Sequence, residues 1–137
     1  MFLLSIVTPE KVYYEAEIRS LMAPGTEGYL GVLSHHAPLI TALKPGKIEF
    51  RDAQDLLHIL AVSDGFLEVS ENRATLLADA VEEADRIDIE RARAAYERNK
   101  ARLISAGTAE TSIDLPSVRS AMERAANRIR VFNETHH

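Results

Sequence analysis

The apolar residues of this chain change their spacing once, near Asp85, and that change limits what the chain can build. Before it come "FLLSIVTP", "KVYYEAEIRSLMAP", "KIEFRD", "LLHILAVSDG" and "FLEVSENRATLLADA", short runs rich in Val, Ile, Leu, Tyr and Phe. Pro9, Pro24-Gly25, Gly31, Pro45-Gly46, Asp64-Gly65 and Glu71-Asn72 separate them. Regularly spaced short runs with turn residues between them predict an all-β sandwich or barrel. In "KIEFR", Ile48 and Phe50 alternate with Lys47, Glu49 and Arg51, as a strand with one wet face should. "LLHILAV" is apolar throughout and reads as a strand buried on both sides.

After Asp85 the interval becomes three and four. Ile89, Ala92, Tyr96, Asn99 and Leu103 line one face of an amphipathic helix, which Asp85 or Asp88 can cap. "SAGTAETS" (105–112) reads as a loop, with Gly107 suited to end the helix. Asp114 can cap a second helix, Pro116 fits its first turn, and Val118, Met122, Ala125, Ile129 and Phe132 make its apolar stripe. The fold class is therefore α+β: a β-sandwich or barrel over residues 1–84, then an antiparallel two-helix hairpin over 85–137. The facing stripes are thin and alanine-rich, so a partner or ligand could decide where the hairpin packs.

Charge follows the same division. Residues 1–81 carry six Lys or Arg against eleven Asp or Glu, and residues 82–137 carry ten of each. The formal net charge of −5 argues against a nucleic-acid partner. No run approaches the roughly 18 apolar residues of a membrane span, so no direct membrane insertion is expected. The opening "MFLLSIVTPE" lacks a basic flank and reads as a strand rather than a signal peptide. With no cysteine, neither a disulfide nor a thiolate site is available.

Several stretches are familiar. "VTPE" (7–10), "GTEGYLGVLSHHAPLITALKPG" (25–46), "AVSDGFLEV" (61–69), "LLADA" (76–80), "RIDIERARAA" and "ERAANRI" resemble, in order, the epsilon subunit of bacterial F-type ATP synthase. The resemblance implies a flattened N-terminal sandwich that docks on the gamma subunit and the ring of c subunits. It also implies a helical hairpin that folds down, or extends into the alpha/beta catalytic head and blocks ATP hydrolysis. The protein would be non-catalytic and peripheral, at the cytoplasmic face of the cell inner membrane. No cofactor is required, and ATP is a regulatory ligand at most. The alternative is a free-standing nucleotide-binding sensor module.

Two groups of residues follow as candidates. The glycine-rich turn and the His-Ala-Pro after it face the c ring in the family, which places Glu27, Tyr29, His35 and His36 in the docking region. Here Tyr29 stands for the family's glutamate, Ser34 for a proline and His35 for a glycine, so His35 would have to adopt a positive φ or the turn must adjust. The second group matches the family's nucleotide-binding form: Ile87, Asp88, Arg91 and Ala92 at the first helix start, Arg124 and Arg128 on the second helix, and Glu82 before them. Arginines four apart share a helix face and can grip phosphate oxygens in pairs. ATP held there would stabilise the folded-down hairpin by mass action. Against this stands a plainer account, in which Asp88 is a helix cap and Arg91 its surface partner.

Catalytic readings are weaker. Adjacent histidines on an extended backbone point to opposite faces, and a zinc would need a third protein ligand, so no metal site is expected at His35–His36. Ser34 and Ser63 lack a Gly-x-Ser-x-Gly elbow, and no Walker-type loop is present. Ser63 and Asp64 read as a turn. His136 and His137 read as a solvated tail.

Overall fold

The computed structural model describes residues 1–106 and 115–135. They belong to two compact units, Met1–Glu83 and Ala84–His137. Gly107, Asp114, His136, His137 and most of the 105–112 loop, for which the sequence carries expectations, lie outside the described residues.

The first unit is a nine-stranded sandwich: β1 (Phe2–Val7), β2 (Val12–Gly25), β3 (Gly28–Val32), β4 (Leu39–Leu43), β5 (Gly46–Asp52), β6 (Leu57–Val62), β7 (Gly65–Ser70), β8 (Arg73–Ala78) and β9 (Val81–Glu83). The 14-residue β2 serves both layers. Its first half pairs antiparallel with β1, from Val12 opposite Val7 to Ile18 opposite Phe2. Its second half lies between β5 and β3, with Leu21 opposite both Phe50 and Val32. A register shift between Ile18 and Ser20 marks the corner where the strand passes from one layer to the other. One layer thus runs β2-β1-β8-β7-β4, and the other β3-β2-β5-β6-β9.

Period-2 patterning explains the core. Phe2, Leu4 and Ile6 point inward from β1, and Ile48 and Phe50 from β5, with Ile18, Leu67 and Leu76 completing the centre. Burying each such side chain contributes roughly 1.5–3 kcal/mol. Two expectations need correction. Gly31 is no separator, because it sits inside β3 opposite Met22. "LLHILAV" is not buried on both sides: Leu56 (63% exposed) belongs to a hairpin loop, Leu57 (45%) lies at the strand's open end, and burial is complete only over Leu60–Val62. An apolar run carries no mark of where the loop stops and the sheet begins.

The second unit opens with a 3₁₀ turn at Ala84–Arg86, followed by α1 (Ile89–Ala106) and α2 (Leu115–Thr135), which pack on each other. Asp88, not Asp85, makes the cap: its Oδ1 accepts the Arg91 amide at 3.1 Å, and its carbonyl accepts the Ala92 amide at 3.0 Å. Pro116 falls in the first turn of α2, where its missing N–H costs nothing. Among the described residues of the unit, the buried apolar ones are Ala84, Ile87, Ala92, Val118, Ala125 and Val131. Asn99 is buried on the α1 stripe as expected, and its Nδ2 donates to the Ala95 carbonyl at 2.8 Å. Asn127 and Val131 are also buried on α2, but at about 3.6 residues per turn they lie on the side away from the stripe read from the sequence, so the helix buries a second, more polar side that the spacing did not imply.

Candidate functional sites

The β2–β3 hairpin turns through Thr26 and Glu27, with Gly25 opposite Gly28. Gly28 takes φ +127°, a conformation that excludes other residues without strain. Glu27 stands exposed at the tip. Tyr29 is 51% exposed, but its hydroxyl is engaged: it accepts the Lys47 amide at 2.9 Å.

His35 and His36 lie beyond the other end of β3. At about 3.3 Å per residue, four steps of strand put the two turns at least roughly 13 Å apart. The structure therefore brings Glu27 and Tyr29 together, and His35 and His36 together, but not all four. His35 has φ +62°, so a histidine does occupy a left-handed position. Its amide donates to Asn72 Oδ1 at 2.7 Å, and Asn72 Nδ2 donates to the Met1 carbonyl at 3.0 Å. The His36 amide closes a turn on the Leu33 carbonyl at 3.2 Å, and its Nδ1 donates to the Ala37 carbonyl at 2.7 Å. Among the described residues no group of three His, Asp or Glu side chains gathers as metal ligands would.

Sequence reasoning missed a polar cluster at this same end. Asp52 Oδ1 accepts the Gln54 and Leu56 amides at 2.9 and 3.0 Å, while Oδ2 accepts from His58 Nε2 at 2.8 Å. The His58 ring stacks on Phe50, centroids 4.5 Å apart, and Phe50 in turn meets Tyr14 at 4.8 Å. The hydrogen bond from His58, then that from Leu56, holds the Asp52 carboxyl below its ordinary 3.8. Burial, and secondarily the Asp52 charge, pushes Tyr14 up. The six-residue separation of Asp52 and His58 signals nothing until the β5–β6 hairpin folds them together.

Ser63, expected in a turn, follows the last residue of β6. Its hydroxyl accepts the Ala80 amide at 3.0 Å and, with its own amide, holds the start of β9 against β6. Asp64 does not take the positive φ that a glycine position could require.

Both outer faces of the sandwich carry apolar side chains. On one, Ala42, Phe66, Leu77 and Val7 form a row across β4, β7, β8 and β1. A shallow depression of about 510 Å³ lies along it. On the other, Met22, Leu33 and Leu57 line a depression of about 410 Å³ with Arg51 and Glu49 at its polar side.

The nucleotide candidates divide. Glu82 lies in β9 opposite Ala61, within the sandwich unit. Ile87 and Ala92 are buried and serve packing. Asp88 is occupied as the cap of α1, as the plainer account had it, and Arg91 stands exposed one turn further on. Arg124 is exposed and Arg128 half-buried on α2, four residues apart and hence on one face. Guanidinium side chains suit an anion contact rather than covalent chemistry.

Residues 1–84 match the family described as "ATP synthase, Delta/Epsilon chain, beta-sandwich domain", and residues 85–133 match "ATP synthase, Delta/Epsilon chain, long alpha-helix domain". The ATP synthase epsilon chain of Desulforamulus reducens is 46% identical over 127 residues, 93% of each chain. That of Moorella thermoacetica is 42% identical over 127 residues, covering 93% of this chain and 92% of its own. Among solved structures, a chain of the Euglena gracilis mitochondrial ATP synthase (OSCP/F1/c-ring, rotational state 1) has a TM-score of 0.79 at 18% identity. That match covers 99% of this chain and 81% of the other, and speaks for the fold alone.

Proposed function

The chain belongs to the ATP synthase delta/epsilon family, and from that premise we propose that it is a non-catalytic rotor subunit which links the gamma subunit to the c ring and restrains ATP hydrolysis through its helices. The observation that carries this reading is the unbroken family match, sandwich and helices in order, over residues 1–133. The sandwich supplies a tied, rigid body with two apolar outer faces, which suits it to attachment. The helical unit has small buried residues, so its own packing is weakly favourable and its position is open to control by partners. Such a subunit would sit peripherally at the cytoplasmic face of the membrane, together with gamma, the c ring and the alpha/beta head.

ATP is the proposed regulatory ligand of the helical unit. Arg91, Arg124 and Arg128 would hold phosphate oxygens, with the amides at the N-terminus of α1 adding partial positive charge. Asp88 would preserve that N-terminus as its cap and accept from the nucleotide with its remaining lone pairs. Binding would favour the folded-down hairpin by mass action.

Restraint is tested by adding the purified chain to an ATP synthase preparation stripped of it: hydrolysis should fall several-fold, and unchanged hydrolysis would count against the regulatory role. Calorimetry with the isolated chain tests the ligand. Heat saturating at or below millimolar ATP, lost in Arg124→Ala/Arg128→Ala, is expected. No heat, or the same heat in the double variant, would remove the nucleotide site.

A further inference from the structure

We propose that Tyr29 is a positioning residue that presets the tip of the β2–β3 hairpin for docking, a role resting on the reading of this hairpin as a rotor contact. Among the described strands, β3 pairs with β2 alone and is an edge. A short edge strand behind a two-residue turn opens readily, which would leave Glu27 on a moving support. Tyr29 prevents this by reaching across β2. It stands opposite Pro24, a residue with no N–H to give the next strand and whose carbonyl already accepts the Lys44 amide at 3.0 Å. The Tyr29 hydroxyl accepts the Lys47 amide of β5 in its place, at 2.9 Å.

Gly46 makes the reach possible. A Cβ there would come within 2.6 Å of Pro24 Cβ and 3.0 Å of the Tyr29 hydroxyl, so the phenol occupies room that only glycine leaves. On the opposite side the Thr26 amide donates to the Ala42 carbonyl of β4 at 3.1 Å. The hairpin is thereby tied to β5 by Tyr29 and to β4 by Thr26, with Glu27 at the point between. A tip ordered in advance loses less freedom on binding. The aromatic residue in place of the family's glutamate thus acts on the partner through the frame that carries Glu27.

The test compares the full chain with Tyr29→Phe, which removes only the hydroxyl. It reads amide hydrogen exchange at Lys47 and Glu27 and the association rate with a purified gamma–c-ring subcomplex. The expected result is exchange at least tenfold faster at Lys47 and at Glu27, with association at least threefold slower. Exchange at Val69 and Leu76 in the remote β7–β8 pair should not move. Unchanged exchange at Lys47 and Glu27 would overturn the tie. Faster exchange with an unaltered association rate would overturn the positioning role while leaving the rotor reading intact. If the unmodified chain itself fails to associate, the rotor reading falls and the positioning role with it, whatever exchange shows.

Discussion

Asp52 shows how much of this sandwich is decided by single side chains. Its carboxylate closes the β5–β6 loop through two amides and holds His58 against Phe50. Its folded value lies below the ordinary 3.8, so ionised Asp52 favours the native state. That contribution is complete above the ordinary value and is lost as pH falls through the folded one. Asp52→Asn keeps the acceptor for the loop amides but carries no charge. The stability gap between the two proteins, measured by urea unfolding, should be widest near neutral pH and narrow as pH falls below about 4; a gap independent of pH would contradict this account. His35 gives a second residue-scale prediction. It holds φ +62° where a left-handed backbone costs a non-glycine residue roughly 1–2 kcal/mol, part of which glycine returns through the freedom of its unfolded chain. His35→Gly should therefore be neutral or stabilising by up to about 1 kcal/mol, and His35→Val should destabilise by more than about 1 kcal/mol, both by thermal unfolding. The need for positive φ was legible from a histidine standing where the resembled family carries glycine. The Asn72 side chain that accepts its amide was not, because 37 residues separate the two.

Helices and strands differ in how openly the sequence declares them. The β5 alternation reads directly from "KIEFR", and the α1 stripe from its three-and-four spacing, because each pattern is the geometry of its own element. Ends are harder. Asp85 and Asp88 both precede the helix and both can accept orphan amides, and only the 3₁₀ turn at Ala84–Arg86 reserves the cap for Asp88. Asp88→Ala should cost the helical unit about 1 kcal/mol, seen as reduced helicity on heating, whereas Asp85→Ala should cost less than half of that. The β7–β8 pair makes a sharper case. A Cβ on Gly65 would collide with the Leu77 carbonyl oxygen and come within 2.9 Å of the Ala78 backbone. Gly65→Ala should destabilise by about 1–3 kcal/mol or more, since backbone rather than a pliant side chain must move. In the sequence this glycine was visible only as half of an Asp-Gly turn signal. Its real constraint is a close approach between strands.

At the scale of the whole chain, the two-part organisation follows from the change of period and from the jump in charge density, both properties of the linear sequence. The candidate sites were less accessible. Two groups of docking residues adjacent in sequence end up at opposite ends of β3, since an intervening strand is a rigid spacer. The nucleotide group divides in another way, between packing residues, a helix cap and exposed arginines. What unites these parts is the role proposed for them, a tied sandwich for attachment and a lightly packed pair of helices for control. Affinity recovery of the tagged chain from detergent-solubilised membranes tests that role most directly. The account predicts co-recovery of gamma, the c ring and the catalytic subunits. Recovery of the chain alone, at its normal level in the cell and under conditions that keep the synthase intact, would contradict it.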